Sequence, residues 1–457
     1  MKHCNMRRPT LTLALVFAAA AGVFSPGAVL ARDQAPDVAG AIAADMPALM
    51  EIYRDFHAHP ELSEQETRTA AIMADAARKA GFDVTQGVGG TGVVAVLRNG
   101  AGPTVLIRAD MDGLPVTEQT GLPYASKEKG VSTAGVESGI MHACGHDTHM
   151  TAWIETARLL SARRGEWSGT LVMIGQPAEE TGVGARAMLA DGLYTRFPKP
   201  DYALAFHDSA GLEAGKVGAA VGWAFANVDS VDILVKGRGG HGAYPHTTID
   251  PIVLGSAIVL RLQTLVSRET DPKDSVVVTV GSFHAGTKHN IISDSAKLEL
   301  TVRSYSDETR TKLLDGIRRI ARGEALASGV PEADLPEVTV NPKYTRATWN
   351  SPEFTQEAVT RLQAQMGADT VSVLPSVMGG EDFSEYRLAD EQGIRSVIFW
   401  VGGVPKEAWE AAQAGGPSLP SLHSAYWAPQ ADKVVASGAA ALTLTALDIM
   451  AKPASPR

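Results

Sequence analysis

Between residues 92 and 206, short apolar runs alternate with amphipathic helical spacings, and this alternation narrows the possible folds more than any other feature of the chain. Strand-like runs cover residues 92–97, 104–108, 169–174 and 201–206. Helical spacing covers 42–56, 67–80 (stopped by Gly81), 148–163 and 184–189. The order predicts an α/β fold whose mixed central sheet is covered by helices on both faces, with ligands bound beyond the carboxyl ends of the strands. The rhythm changes near Trp223. From there the elements read strand (228–236), helix (251–266), two strands (275–281 and 296–302), helix (307–327) and strand (337–340). This β-α-β-β-α-β order is the split βαβ, ferredoxin-like module. It predicts an inserted α+β domain at 223–340, interrupting a first domain made of 38–222 and 341–452.

Composition supports a packed protein, since 45% of the 457 residues are hydrophobic and 20% charged, which excludes disorder and low complexity. The first 31 residues differ from the rest. Lys2, Arg7 and Arg8 precede an apolar run at 11–24, and Val29-Leu30-Ala31 fits a small-residue cleavage site, so 1–31 is expected to be a secretory signal peptide. Export to a periplasm follows from that expectation, as does the absence of a membrane anchor after cleavage. No later segment is expected to be a transmembrane candidate. Removing three basic residues from a chain of net charge −10 leaves it more acidic still, which argues against nucleic acid as a partner. Cys4 leaves with the leader, so Cys144 has no partner for an internal disulfide.

Potential metal ligands collect just after the predicted strands. Asp110 and Asp112 follow 104–108, Glu179 and Glu180 follow 169–174, and His207 follows 201–206. The loop His142-Ala143-Cys144-Gly145-His146-Asp147 adds a thiol and an imidazole at the start of a helix, a borderline-soft metal site. Each residue alone has an ordinary structural reading; their convergence on one sheet edge points to metal chemistry. His423, in the apolar and aromatic run Leu422 to Trp427, suits a fifth ligand.

These residues resemble the M20 metallopeptidase family, in its amidohydrolase branch of hippurate, N-acyl-amino-acid and indoleacetyl-amino-acid hydrolases. The resemblance spans nearly all of the chain after the leader. It rests on Arg108-Ala109-Asp110-Met111-Asp112, on Met141-His142-Ala143-Cys144-Gly145-His146-Asp147, on Gln176-Pro177-Ala178-Glu179-Glu180, on Gly239-Gly240-His241-Gly242, and on Gly380-Glu381-Asp382-Phe383. It implies a hydrolase with two divalent metal ions, zinc or manganese, held by Cys144, His146, Glu180, His207 and His423, with Cys144 bridging. Two such ions roughly 3.5 to 4 Å apart can polarise a carbonyl and activate a water. The resemblance further implies Glu179 as proton carrier, and Asp112 or Asp110 orienting a ligand. It implies His241 reaching the active site of a partner in a homodimer formed through the inserted domain. Asn290, Arg303 and Gly380 are implied as substrate contacts. The expected substrate is a small N-acyl amino acid.

Three departures sit around the expected substrate pockets: Asp208-Ser209-Ala210-Gly211 where the family usually carries Trp-Pro, Ser293 after Asn290-Ile291-Ile292 where it often has proline, and Ala425 for another proline. None removes a ligand. The alternatives are an exported dipeptidase or carboxypeptidase on the same scaffold, or a non-catalytic metal or peptide binder. Glu179 argues against the binder, which needs no base beside a ligand glutamate. Gly182-Val183-Gly184 matches a dinucleotide fingerprint, but two glutamates intervene between strand and glycines and would face a pyrophosphate.

Overall fold

The computed structural model describes residues 37–133 and 135–452; the expected leader and its cleavage site lie outside them. Eight strands form the principal sheet in the order Asp83–Val88, Gly92–Asn99, Gly169–Gln176, Thr104–Asp110, Tyr202–Glu213, Arg395–Val404, Val217–Ala219 and Val371–Val373. The run from Gly169–Gln176 to Arg395–Val404 is parallel. Antiparallel pairs flank it, so the sheet is mixed. Every residue of Thr104–Asp110 beyond Thr104 is buried, because helices cover both faces. On one face Phe56, Trp153 and Leu442, from the helices Val38–Ala58, His146–Ala162 and Ala431–Met450, pack with Ile107 and Phe399. On the other, Met188 and Tyr386, from Gly184–Ala190 and Ser384–Leu388, pack with Leu106 and Ile398.

A second, antiparallel sheet runs Val277–Ala285, Ser295–Ser304, Asn227–Lys236, Glu337–Val340. Burial alternates along Asn227–Lys236, so one face only is packed. Val231, Ile233 and Val235 meet Leu254 and Ile258 of the helix Pro251–Thr264, and Leu313 and Ile317 of the helix Asp307–Ala327. Both helices begin at side-chain caps. The Asp250 carboxylate accepts the Ile252 N–H at 2.8 Å, and Ser306 Oγ accepts the Thr309 N–H at 3.1 Å. Two short strands, Gly222–Phe225 and Thr348–Asn350, connect this layer to the principal sheet and pair with each other, Trp223 opposite Trp349.

Two expectations change. The strand expected to stop at residue 206 continues to Glu213, so His207 lies within it, opposite Trp400. The small residues Ser209, Ala210 and Gly211 read as a loop, yet the ladder with Arg395–Val404 carries the strand onward past them. Second, two segments among the described residues, Pro251–Glu269 and Ala431–Met450, are long and apolar enough to cross a membrane by length and composition. Their apolar surface has a packing role: Leu254, Ile258 and Leu262 join the core of the four-stranded layer, and Val434, Leu442 and Leu444 the core under the principal sheet.

Candidate metal centre

Strand ends and one helix start bring the cluster together. His146 opens the helix His146–Ala162, and Cys144 precedes it across Gly145, whose φ of +77° is the left-handed conformation that glycine takes freely. A Cβ on Gly145 would lie 2.3 Å from Asp208 Oδ2, so this close approach requires glycine as well. Glu179 and Glu180 follow the strand Gly169–Gln176 through Ala178, which has φ +51°. The buried Glu66 carboxylate accepts the Ala178 N–H at 2.8 Å and holds that turn. His423 also has a positive φ, +66°, and its N–H donates to the Ala143 carbonyl at 2.8 Å, fastening the distant loop to the cysteine loop.

The ligand atoms converge. Cys144 Sγ lies 3.4 Å from His207 Nε2 and 3.2 Å from His423 Nε2, and His423 Nε2 lies 3.5 Å from Glu180 Oε2. Donor atoms within 4.8 Å of one another group as Cys144, His146 and His207; as Cys144, Glu180 and His423; and as His146, Glu179 and Glu180. Cys144 is shared by the first two groups.

Surrounding hydrogen bonds set the imidazole tautomers. His146 Nδ1 donates to the Asp112 carbonyl and His207 Nδ1 to the Asp208 carbonyl, each at 2.8 Å, leaving both Nε2 lone pairs toward the cluster. His146 Nε2 and Glu180 Oε1 are buried with no hydrogen-bond partner. Burial and the nearby Glu381 and Glu180 carboxylates push Glu179 well above the usual carboxylate range; burial and Glu180 push the Cys144 thiol up. Buried acceptors with orphaned lone pairs and an excess of negative charge fit divalent cations held by sulfur, nitrogen and oxygen donors.

Asp112 and Asp110 have separate tasks. The Asp112 carboxylate accepts the Ser63 hydroxyl at 2.6 Å and the peptide N–H groups of Glu179 and Glu180 at 3.2 and 3.0 Å, so it positions the glutamate pair. Asp110 receives Arg108 Nη1 and His149 Nδ1, each at 2.6 Å, and lies 3.5 Å from His146 Nε2. Arg108, fully buried, also holds Glu381 at 2.8 Å.

The remaining expected site residues divide: His241 and Asn290 lie on the four-stranded layer, whereas Gly380 precedes Glu381, whose carboxylate is near Glu179. His241 and Asn290 share a cavity of about 560 Å³ with Lys288 and Asp294 on the four-stranded layer; none of the five expected metal ligands lines it. Arg303 Nη1 donates to the Met378 carbonyl at 3.1 Å, which puts it beside the loop that carries Gly380. A Cβ on Gly380 would lie 2.5 Å from Val228 Cγ2.

Sequence reasoning missed three contributors. His149 bridges Asp110 and Asp208, accepting the Asp208 N–H at Nε2; its spacing of three from His146 on one helix was the available signal. Asp208 accepts Trp427 Nε1–H at 3.0 Å and lies against His207, so this family departure belongs to the cluster's frame. His57 sits between Asp147 at 2.7 Å and Glu118 at 3.1 Å. Burial pulls its pKa down, but the two carboxylate hydrogen bonds outweigh it and carry it from 6.5 to about 9.

Known proteins share this architecture. The family described as peptidase family M20/M25/M40 matches residues 106–414. Hippurate hydrolase of Campylobacter jejuni is 39% identical over 73% of this chain and 83% of its own length. Thermostable carboxypeptidase 1 of Saccharolobus solfataricus is 37% identical over 74% of this chain and 82% of its own. The crystal structure of a dinuclear metal-binding M20 peptidase from Bacillus subtilis superposes with a TM-score of 0.70 at 31% identity, covering 89% of this chain and all of that one.

Proposed function

Because the chain belongs to peptidase family M20/M25/M40, a family of metal-dependent hydrolases with amidohydrolase members, we propose that it cleaves N-acyl or aryl-acyl amino acids to a carboxylic acid and a free amino acid. The observation that carries this reading is the Glu179 carboxylate, which lies within 4.8 Å of His146 and Glu180 donor atoms yet is spare to the groups that share Cys144. A metal store has no use for such a group; a hydrolase needs it as base.

Two divalent ions held by Cys144, His146, Glu180, His207 and His423 would polarise the amide carbonyl and acidify a water. Glu179 takes the proton of that water and passes it to the departing amine nitrogen. Asp112 fixes the peptide units of Glu179 and Glu180 so that one carboxylate faces the ligands and the other the water. Arg303, Asn290 and Gly380 hold the substrate's carboxylate and amide. His241, supplied by a second copy of the chain, stabilises the oxyanion. The thiolate favours zinc over manganese.

Dimerisation through residues 223–340 is part of the proposal. Val253 and Leu260 on the helix Pro251–Thr264 are 67% and 74% exposed, and Val277–Ala285 is an edge strand paired on one side only. Export rests on the leader at 1–31. The experiment is release of free amino acid from N-acetyl, N-benzoyl and indoleacetyl amino acids and from dipeptides, by native, chelated and Glu179→Gln protein. Turnover of N-acyl amino acids that disappears on chelation and in the variant is expected. Turnover confined to dipeptides would replace this reading with the carboxypeptidase one, and two bound metals with no turnover would leave a binder.

A further inference from the structure

A second cavity, of about 350 Å³, lies away from the metal cluster where the two sheets are joined. Trp223 and Trp349, one from each connecting strand, pack edge to face at 4.6 Å and line it; Tyr305, from the end of the four-stranded layer's Ser295–Ser304 strand, stacks beside Trp223 at 21° between planes. The opposite wall is the short helix Ser384–Leu388. Ser384 and Arg387 line the cavity from positions three apart, which share a helix face. Ser384 is only 3% exposed, and neither its hydroxyl nor Arg387 Nε has a hydrogen-bond partner. The mechanism proposed above uses neither residue.

Arg387 Nε–H is a donor and a hydroxyl can be one, so what this wall lacks is an acceptor. Leaving buried polar atoms of this kind unpaired is costly, so a ligand that pairs them gains affinity. The aromatic wall asks for a flat apolar body. Arg346, also lining the cavity, is already paired with Glu385, and the carboxylates of Asp307 and Glu391 complete the rim. Arg387 Nη2 donates to the Glu391 carbonyl at 3.3 Å, so its Nε–H is the spare buried donor; a rim carrying two acids against two arginines, both of them at least partly engaged, disfavours multiply charged anions such as phosphate.

We infer that this cavity is a binding site for a small aromatic monocarboxylate, its ring between Trp223, Trp349 and Tyr305 and its carboxylate on Ser384 and Arg387. A ligand there touches both connecting strands together with a residue of each sheet's own framework. Its occupancy therefore bears on how the four-stranded layer is held to the principal sheet.

The test is fluorine NMR of 4-fluorobenzoate titrated into metal-loaded, full-length protein, repeated with phosphate. Because benzoate could also enter the metal centre, His423→Ala separates the two sites. Binding that survives in His423→Ala and weakens about tenfold or more in Arg387→Met is expected, the loss of one charge-assisted hydrogen bond. Glu391→Gln should tighten it by about threefold through removal of a repelling charge, a direction that misfolding cannot imitate. Binding lost in His423→Ala and unchanged in Arg387→Met would overturn the inference. So would no binding at millimolar ligand, or phosphate binding as well as 4-fluorobenzoate.

Discussion

At the scale of single residues, the site depends on groups whose surroundings leave them few alternatives. Glu179→Gln keeps the size of the side chain but removes the base; kcat is expected to fall by about 10² to 10⁴, with metal content by elemental analysis unchanged. Gly145→Ala acts differently. A methyl group 2.3 Å from Asp208 Oδ2, on a backbone of φ +77°, must expel that carboxylate from between Trp427 and His207. A loss of about 1 to 3 kcal/mol in denaturant unfolding is expected, accompanied by weaker metal retention. His57 provides a pH signature. Its pKa rises on folding from 6.5 to about 9, so its protonated pairing with Asp147 and Glu118 stabilises the fold fully below pH 6.5 and fades as pH climbs through 9. His57→Phe should therefore lower Tm most at pH 6, by the equivalent of about 3 kcal/mol for stranded buried carboxylates, with the gap to wild type narrowing toward pH 9.5.

Among the elements, what could be read from sequence was whatever local chemistry decides. The helix Asp307–Ala327 and the strand Glu337–Val340 match their expected limits because a serine cap starts the one and a run of β-branched residues, Val338 to Val340, marks the other. The strand Tyr202–Glu213 outran its expected end because its last residues have no strand composition of their own; only a neighbour in the sheet makes them extended. The same distinction holds in the site. Motif-borne residues such as Cys144, His146, Glu179 and Glu180 were legible, and His149 carried only a weak local signal in its spacing from His146, whereas Asp208 owes its place to a contact with His149 about 60 residues away, which no local pattern encodes. His57 and Asp147 are 90 residues apart and were hidden for the same reason.

At the scale of the whole molecule, the metal cluster and the His241–Asn290 cavity occupy different layers, which is why the proposed chemistry calls for two copies of the chain. Leu260→Glu places a charge on the exposed apolar face of the helix Pro251–Thr264. Sedimentation is expected to show a monomer in place of a dimer, with amide hydrolysis lost and metal content kept. A monomer that remains active would remove His241 from the mechanism. The strand Arg395–Val404 has a further consequence. It fills an inner position of the principal sheet, beside Tyr202–Glu213, although nearly 200 residues of chain separate them. A ribosome must therefore complete the entire four-stranded layer before the first sheet can close, leaving a long, unpaired parallel edge exposed while synthesis continues. The late-made strand acts as a timing device: until it arrives the metal-binding half has no finished platform, and the waiting edge is open to pairing with neighbouring chains.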